Sequence, residues 1–469
     1  MVSREKIAIF AYSWSNAPYV KLDIYLNEFV TTFSSLGFDV DVYVANQYVE
    51  CDGILGFSGN VNLHKINEKI QNKKYKFILS INNALLTRSL DSLRLQPVIG
   101  LIVDDFNHLF NHDKTGLYDQ FSYADIILFS SYSHIKKLES NNLSVADRLR
   151  FYPTATTVPV SSKNCDFLPK VHNITWVASL LDASGYTLLY KHCTHKPDRA
   201  ALLNGVVDVV REGGQINYDH AIGDESISGL LKEHKWSRQF FEMQIQNLIS
   251  NQSRISVVDS LHELGLSVFG NHEWINAAAY NSNILTVYND GSLISSHEDI
   301  MKIYNKSKIC INMSQLQSGA ALPYRVMDIL ASDALLITNY HPQSDAFTIF
   351  GKDCPIVMYK SMEELSTLCE YYLAHEDERR GLVVKCNDMV RHGFDFRNRC
   401  EDILDLCGLP SEREELSPGN IYYVNSDEFV FWSSKIKVRL RGIVKKLIKS
   451  FFSLLPIALR RSLIINLRA

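Results

Sequence analysis

The stretch of sequence that decides the fold is 307–340, which reads SKICINMSQLQSGAALPYRVMDILASDALLITNY. The apolar run at 309–312 predicts a buried strand. A loop of small residues follows, and Pro323 suits the first position of a helix. A second apolar run at 334–338 predicts the next strand. Strand, loop, helix and strand in this order are typical of a parallel sheet with crossover helices.

The same rhythm extends in both directions along the chain and predicts two series of strands. The first is expected at 7–12, 39–45, 76–80, 97–103, 126–130 and 149–152, and the second at 173–177, 266–269, 284–287, 309–312, 334–338 and 355–359. Most of these runs are apolar without alternation, as in strands covered on both faces. A segment rich in proline and polar residues separates the two series, so we place the domain boundary near residue 170.

The 469 residues, 46% of them apolar, are enough for two cores. We therefore expect an α/β protein with two Rossmann-like domains facing a cleft, at 1–170 and 171–420, and a C-terminal amphipathic helical tail. Helical spacing of Val257, Val258, Leu261 and Leu264 predicts a helical insertion at about 182–263. Further helices are expected at 361–375, 376–391 and 397–407, before a polar connector at 410–420.

The nine cysteines are scattered and never spaced as Cys-x-x-Cys, so neither a disulfide framework nor a zinc site is indicated. The first apolar run is too short, and too charged at its start, for a signal peptide. No stretch of about 20 uncharged apolar residues is present to span a membrane. A cytoplasmic location is expected.

The segment 433–469 contains ten of the 48 Lys and Arg residues and none of the 52 Asp and Glu residues, so the rest of the chain carries a net charge of −14. Apolar residues follow one helical face of this segment, and Lys437, Arg441, Lys445 and Lys449 form a stripe on another. This pattern predicts an interfacial helix on an anionic membrane surface, at the inner face of the cell membrane. The alternative is a coiled-coil or partner-binding helix. The acidic body argues against nucleic-acid binding.

Arg325 and Asp328 lie three residues apart in the predicted helix and share roughly one face. In an open parallel sheet, ligands bind beyond the carboxyl ends of the strands, close to the start of such helices. A guanidinium group there suits a diphosphate, and a carboxylate suits ribose hydroxyls. The alternative is a surface arginine beside an acid that favours the helix dipole.

The quoted stretch resembles the C-terminal domain of family-1-type glycosyltransferases, in particular a branch similar to spore-maturation glycosyltransferases. The motif of that branch runs Tyr-x-x-Ser-Lys-Ile, then an Asn-containing strand, then Pro-x-Arg, two apolar residues, an acid, an apolar residue and, after one further position, Ala. Here these elements are Tyr304, 307–309, Asn312 and 323–331. Weaker similarity covers 95–160 and 176–179. The resemblance implies a GT-B fold and a glycosyltransferase whose first domain takes the acceptor.

By the same resemblance, Asp328 binds the donor ribose, and the loop Ser318, Gly319, Ala320, Ala321 and Leu322 holds the phosphates and sugar. Two departures matter. Retaining members carry a glutamate where this chain has Ala320, and they place an arginine and a lysine just after the first strand of the second domain, where 180–186 offers neither. Arg325 is then expected to be the main diphosphate contact. Retention or inversion at the anomeric carbon stays open.

Other polar residues follow predicted strands and so are expected to face the cleft. Asp104, Asp105 and His108 are candidates for the base that accepts the proton of the acceptor hydroxyl. Gly270, Asn271 and His272 follow another strand, where a glycine permits close approach of a ligand. The alternatives are an aspartate that caps a turn and a histidine that is merely satisfied by its neighbours.

No metal or other cofactor is expected, because adjacent carboxylates such as Asp104 and Asp105 at a strand end point to opposite faces and do not readily share an ion. The predicted function is transfer of a sugar from a nucleotide-sugar donor to a lipid-linked or cell-surface polysaccharide acceptor. A nucleotide-sugar epimerase of the same fold and a non-catalytic nucleotide-sugar-binding protein are the alternatives.

Overall fold

A computed structural model of the chain shows two parallel β-sheets flanked by helices, which confirms the predicted α/β fold with two Rossmann-like domains. The structure describes residues 4–12, 22, 24–45, 63–82, 84, 86, 91–103, 123–139, 146–156, 169–213, 225–234, 236, 238–291, 294, 296–315, 320–351, 353–391, 393–410 and 417–425. The predicted site residues Asp104, Asp105, His108, Ser318 and Gly319, and the tail 433–469, lie outside the described residues.

The first sheet contains six strands from the N-terminal part of the chain. They are β1 (Lys6–Tyr12), β2 (Asp39–Ala45), β3 (Ile78–Ile81), β4 (Val98–Ile102), β5 (Ile126–Phe129) and β6 (Leu149–Phe151). Three helices alternate with them, α1 (Ile24–Ser35), α2 (Leu63–Lys73) and α3 (Tyr132–Glu139), together with short 3₁₀ helices at Asp91–Leu95 and Ala146–Arg148. The strands pair in parallel in the order β2-β1-β3-β4-β5-β6. Every residue of β3 and β4 is buried, as expected for strands covered on both faces.

The second sheet also contains six parallel strands. They are β7 (His172–Val177), β8 (Leu266–Gly270), β9 (Tyr288–Asp290), β10 (Ser307–Asn312), β11 (Leu335–Asn339) and β12 (Val357–Tyr359). Their order across the sheet is β12-β11-β10-β7-β8-β9. Strand β7, which comes first in the sequence among the strands of this sheet, therefore lies inside the sheet, with later strands on both sides.

A helical insertion separates β7 from β8, at the position predicted from the sequence. It consists of α4 (Ser184–Cys193), α5 (Pro197–Gly213), α6 (Glu225–Glu233) and α7 (Arg238–Leu261), and a 3₁₀ helix at His262–Leu264 leads into β8. Its apolar side chains, among them Leu203, Ile227, Phe241 and Ile245, form a separate hydrophobic cluster. The insertion thus has its own small core beside the second sheet.

Among the described residues, seven further helices accompany the strands of the second sheet. They are α8 (Glu273–Ala278), α9 (Asn283–Val287), α10 (His297–Asn305), α11 (Tyr324–Leu330), α12 (Asp345–Phe350), α13 (Met362–Ala374) and α14 (Glu376–Arg391). Pro323 immediately precedes α11 with extended backbone, so the helix begins one residue later than predicted. Within the described part of the chain, no helix is both long and apolar enough to cross a membrane.

The chain then returns to the first sheet. Helix α15 (Phe396–Leu406) buries Phe396, Cys400 and Ile403 in the same cluster as α1 and the first sheet. Strand β13 (Ile421–Asn425) pairs in parallel with β2 at the edge of that sheet. Helix α15 and strand β13 therefore pack against the first domain, although the predicted bounds of the second domain, 171–420, included α15.

One predicted strand is wrong, because residues 284–287 form helix α9. Ile284 and Val287 are buried, whereas Leu285 and Thr286 between them are exposed, which is the spacing of a helix face. A run of four residues, three of them apolar, is too short to distinguish a helix from a strand by its periodicity. The strand of this region, β9, begins directly afterwards at Tyr288.

Candidate active site

The order of the strands in the second sheet changes direction between β7 and β10. In open parallel sheets, ligands bind beyond the carboxyl ends of the strands at such a point. Here the chain continues into 178–183 after β7, and into a loop that leads to α11 after β10. Helix α11 carries Arg325 and Asp328, the two residues that the sequence singles out.

Two arginines meet beyond the carboxyl end of β7. Arg325, the second residue of α11, donates a hydrogen bond from Nη1 to the carbonyl oxygen of Val177 at 3.1 Å. Arg254, from helix α7 of the insertion, donates from Nη1 to the carbonyl oxygen of Ser179. One bond attaches a guanidinium group to the last residue of β7, and the other attaches one to the segment that follows β7. Arg254 and Arg325 are called the arginine pair below.

The charge of the arginine pair is not balanced by the residues around it. Arg254 is only 2% exposed, and burial together with the charge of Arg325 lowers the pKa of Arg254 to about 9. Among the described residues, neither arginine forms an ion pair with a carboxylate. A buried cation without a counter-charge is unfavourable. Two neighbouring guanidinium groups therefore offer a place for an anion with two charged groups, such as a diphosphate.

The segment that carries these carbonyls is held by two asparagines. Asn271 accepts a hydrogen bond from the Leu180 amide at 3.0 Å and donates one to the Leu180 carbonyl at 2.9 Å. Asn251 makes the same two bonds to Leu181, at 2.8 and 2.7 Å. Asn271, predicted to contact a ligand, thus uses both atoms of its amide to fix the segment beside the arginine pair.

Gly270 ends β8 at the closest approach of this segment. A Cβ atom at Gly270 would lie 2.2 Å from the carbonyl oxygen of Ala178 and 2.4 Å from Nε1 of Trp274. The indole N–H of Trp274 donates to the same carbonyl oxygen at 2.7 Å. Glycine is required here by the packing of the protein backbone, which was not the reason inferred from the sequence. His272 is exposed, just before α8.

The carboxylate of Asp328, unlike the guanidinium group of Arg325, has side-chain partners for its charge. The residue is 0% exposed. Its Oδ2 accepts hydrogen bonds from the Tyr25 hydroxyl and from Nε2 of His297, both at 2.9 Å, and its Oδ1 accepts one from the Thr156 hydroxyl at 2.8 Å. These four residues are called the Asp328 cluster below. The ribose-binding role inferred from the resemblance finds no support here, because no part of the carboxylate is exposed.

The Asp328 cluster joins the two domains, since Tyr25 lies in α1 and His297 in α10. Burial and the Asp328 carboxylate hold the pKa of Tyr25 well above its ordinary range, so its hydroxyl stays protonated. Burial alone would lower the pKa of His297, but the hydrogen bond and charge of Asp328, with Glu28, outweigh burial and raise it. The ring of Tyr25 also stacks on that of Tyr324, with centroids 4.8 Å apart.

A second carboxylate crosses the junction at the start of α3. Asp345 is 1% exposed and accepts a hydrogen bond from the Tyr132 amide at 3.2 Å. Burial raises the pKa of Asp345 to about 6, although hydrogen bonds from Ser131, Tyr132 and Ser133 act in the opposite direction. An acid at this position favours the N-terminal end of α3 in the neighbouring domain.

The described part of the predicted donor loop also lies at this junction. Ala320, Ala321 and Leu322 are all buried. The Leu322 carbonyl accepts a hydrogen bond from the Thr154 hydroxyl of the first domain at 3.0 Å, and the Ala320 carbonyl accepts one from the Asp345 amide at 2.9 Å. These carbonyl groups therefore hold the start of α11 in place, close to the arginine pair.

Arg254 is the site residue that the sequence interpretation missed. It belongs to the insertion, more than 70 residues after the strand whose carboxyl end it reaches. A signal was nevertheless present, because Arg254, Val257, Val258 and Leu261 follow one another at helical spacing. A lone arginine in an apolar stripe is placed where burial is expected. In the structure, Arg254 lies beyond the end of β7, where residues 180–186 contain neither the arginine nor the lysine that the resemblance leads us to expect.

Within the described residues, no group of three or more His, Cys, Asp or Glu side chains is placed to hold a metal ion. Metal-independent chemistry stays a prediction. The arginine pair supplies positive charge at this end of the second sheet without an ion.

The comparison of the sequence with known families places a match on this half of the molecule. Residues 254–405 match a family described as glycosyl transferase-like, so the match begins at Arg254 and includes Arg325 and Asp328. No curated protein matches the sequence. The matched region contains β8 to β12 and the helices between them, together with most of α15.

Several solved structures share the fold. Sucrose-phosphate synthase from Thermosynechococcus elongatus is 10% identical, over 86% of this chain and 98% of that one, with a TM-score of 0.51. HepE of Anabaena, in complex with UDP and glucose, is 8% identical, over 87% of this chain and 100% of that one, with a TM-score of 0.51. The fold is therefore GT-B, and with the family match this confirms the prediction that the protein is a glycosyltransferase.

Proposed function

We propose that this glycosyltransferase takes its sugar from a nucleotide-diphosphate donor, whose diphosphate binds between Arg254 and Arg325. The observation that carries the proposal is the buried Arg254 beside the half-buried Arg325, neither with a carboxylate partner among the described residues, where the strand order of the second sheet changes direction. Such a position suits an anionic ligand. Two guanidinium groups also stabilise the charge that develops on a departing diphosphate.

The comparisons support this choice of donor. HepE, which has the same fold, was solved in complex with UDP and with glucose. A diphosphate ligand resolves the energetic problem of the arginine pair, since it supplies the counter-charge that no described residue gives to Arg254. We also propose that the protein belongs to the branch similar to spore-maturation glycosyltransferases, because its sequence carries the motif of that branch.

In the proposed reaction, the acceptor hydroxyl oxygen forms a bond to the anomeric carbon of the donor sugar. The bond from that carbon to the diphosphate oxygen breaks, and the nucleoside diphosphate leaves with the bonding electrons. The hydroxyl proton passes to a base, for which Asp104, Asp105 and His108 remain the candidates. These residues follow β4, whose end is held by a hydrogen bond from the Val103 amide to the Asn82 side chain at 2.9 Å.

Release of nucleoside diphosphate from a panel of nucleotide sugars, with and without acceptor, tests the proposal. A glycosyltransferase releases the diphosphate from at least one donor, and release rises when acceptor is added. An epimerase would convert the sugar and leave the product attached to the nucleotide. A non-catalytic binding protein would bind a donor without any release. Either of the last two results would contradict the proposed function.

We further propose that the acceptor is lipid-linked or a cell-surface polysaccharide, and that the tail 433–469 associates with an anionic membrane. The support is the sequence pattern of that tail, in which ten cations and an apolar helical face occur without any acid. Flotation with vesicles of mixed phosphatidylglycerol and phosphatidylcholine compares the full chain with a chain that ends at Trp432. Only the full chain should float, and equal partitioning of the two would contradict membrane association.

A further inference from the structure

A groove of about 380 Å³ opens on the helical insertion. Its walls come from α4, α5 and α7. Tyr186 and Tyr190 of α4 stand side by side, with ring centroids 6.2 Å apart and 19° between the ring planes. Val207 of α5 and Leu248 of α7 add apolar surface to the lining. A groove of this size is at the lower end of the range for small-ligand sites.

The polar side chains that line the groove already form hydrogen bonds and an ion pair with one another. Arg211 donates to Asp208 at 2.7 Å and to the Gln252 side chain at 3.0 Å. The Asn204 side chain donates to the Tyr190 hydroxyl at 3.3 Å. Among the described residues, the single arginine of the lining is paired with the single aspartate, so these residues offer no excess charge to a phosphate. Amide, carboxylate and guanidinium groups beside an aromatic wall instead suit hydroxyl groups arranged around an apolar ring face.

We infer that this groove binds a neutral segment of a carbohydrate, with the apolar face of a sugar ring packed on Tyr190 and its hydroxyl groups bonded to Asn204, Asp208 and Gln252. Tyr186 is buried and stacks on the half-buried ring of Tyr190, which keeps that ring in place. Hydroxyl groups both donate and accept hydrogen bonds without adding charge, so those of a neutral sugar match the amide and carboxylate groups of this lining. Carbohydrate is therefore the ligand class that the lining favours.

The position of the groove relative to the arginine pair defines its use. Gln252 lines the groove and Arg254 belongs to the arginine pair, and both lie on α7. Two residues along a helix correspond to a rotation of about 200°, so the side chains leave α7 on nearly opposite sides. The groove thus lies across α7 from the donor site. It binds a part of the acceptor glycan distant from the reacting hydroxyl, an inference that rests on the proposed function.

Binding of neutral tetrasaccharides tests the groove without any need for turnover. The panel contains glucose, galactose, mannose and N-acetylhexosamine tetrasaccharides, and the full chain is titrated by calorimetry. We expect at least one to bind, and Tyr190→Ala to weaken it about three- to tenfold through loss of the aromatic surface. Tyr190→Phe retains the ring and should keep most of the affinity, which separates loss of stacking from loss of folding.

Leu188→Ala is the matched control, because Leu188 lies on the same helix, is 59% exposed and is outside the groove lining. It should bind the panel as the wild type does. The inference is overturned if no tetrasaccharide binds, if Tyr190→Ala binds as tightly as Leu188→Ala, or if uridine competes for the groove.

Kinetics separate this inference from the proposed function. Tyr190→Ala should raise KM for a long acceptor and leave kcat, and turnover of a short acceptor, unchanged. If tetrasaccharides bind but no donor is turned over, the proposed function fails and the groove remains. If donors are turned over but no tetrasaccharide binds, the groove inference fails by itself.

Discussion

Arg325 and Asp328 lie one helical turn apart on α11, yet their environments are opposite. Arg325, together with the buried Arg254, bonds only to backbone carbonyl oxygens among the described residues. Asp328, which is fully buried whereas Arg325 is half-buried, receives three hydrogen bonds from Tyr25, Thr156 and His297. Sequence spacing gave both residues a ligand-binding role. The comparison teaches that a buried charge without a partner indicates a binding site, whereas a buried charge with all its partners holds the structure together.

The largest expected effect is at the arginine pair. Arg254→Met should lower kcat about 100- to 1000-fold, because one of two cations beside the leaving diphosphate is lost. Stability should not fall, since a buried cation without a carboxylate partner is replaced by an apolar side chain of similar length. Turnover and denaturant midpoints are measured on the same preparation. Wild-type turnover in a folded variant would break the comparison.

The next effect is at the Asp328 cluster and concerns stability. Asp328→Asn leaves His297 without its negative partner and should reduce the free energy of unfolding by about 3 kcal/mol. Chemical denaturation followed by tryptophan fluorescence measures the loss. Asp405→Asn, at an exposed aspartate of α15, is the control and should change little. Equal midpoints for the two variants would show that the cluster does not join the domains.

Gly270 tests how closely the segment after β7 is held. Gly270→Ala places a methyl group against the Ala178 carbonyl oxygen and should destabilise the protein by about 2 kcal/mol. It should also lower donor affinity, because the same segment carries the acceptor carbonyls of the arginine pair. Gly381→Ala in α14, where a Cβ atom meets nothing within 4 Å, is the matched control. Unchanged thermal stability in Gly270→Ala would contradict this packing.

The smallest effect is the pH dependence of the junction at Asp345. Burial raises the pKa of this carboxyl from 3.8 to about 6, so the folded protein holds the proton more tightly than the unfolded chain. Its contribution is fully present below pH 3.8 and is lost as the pH rises through about 6. We expect the protein to be about 1.4 kcal/mol less stable at about pH 8 than at about pH 5 from this group.

Asp345→Asn removes this dependence, and urea midpoints at several pH values measure it. His297, whose pKa is also raised, acts in the same direction, because its contribution is fully present below pH 6.5 and is lost as the pH rises through its folded-state pKa. If the urea midpoint of Asp345→Asn changes with pH as steeply as that of the wild type, Asp345 is not the group responsible.

The fold was largely predictable because its strands are apolar along their whole length, which is how buried parallel strands differ from exposed ones. Residues 284–287 were not, since a run of only four residues, three of them apolar, fits a helix turn as well as a strand. The edge strand Ile421–Asn425 was missed because it lies far along the sequence from both series of apolar runs that predicted the two sheets. Its pairing with β2 connects positions almost 400 residues apart.

The candidate site was only partly predictable. Arg325 could be predicted because a strand, a loop and a helix start follow one another in consecutive residues of its motif. Arg254 reaches the same place from an insertion, and its contact with Ser179 spans 75 residues. The partners of Asp328 come from 303 and 172 residues away in the first domain and from the start of α10. Sequence spacing reports neighbours on one helix and does not report such contacts.

The central claim is that the arginine pair binds the diphosphate of the donor. Calorimetric titration with UDP, GDP and ADP, each compared with its nucleoside, tests this claim most directly. We predict that the wild type binds one diphosphate at least about 100-fold more tightly than the nucleoside, as two charge-assisted contacts require. Arg254→Met should remove most of that difference and leave nucleoside binding unchanged. A diphosphate that binds Arg254→Met as tightly as the wild type would contradict the claim.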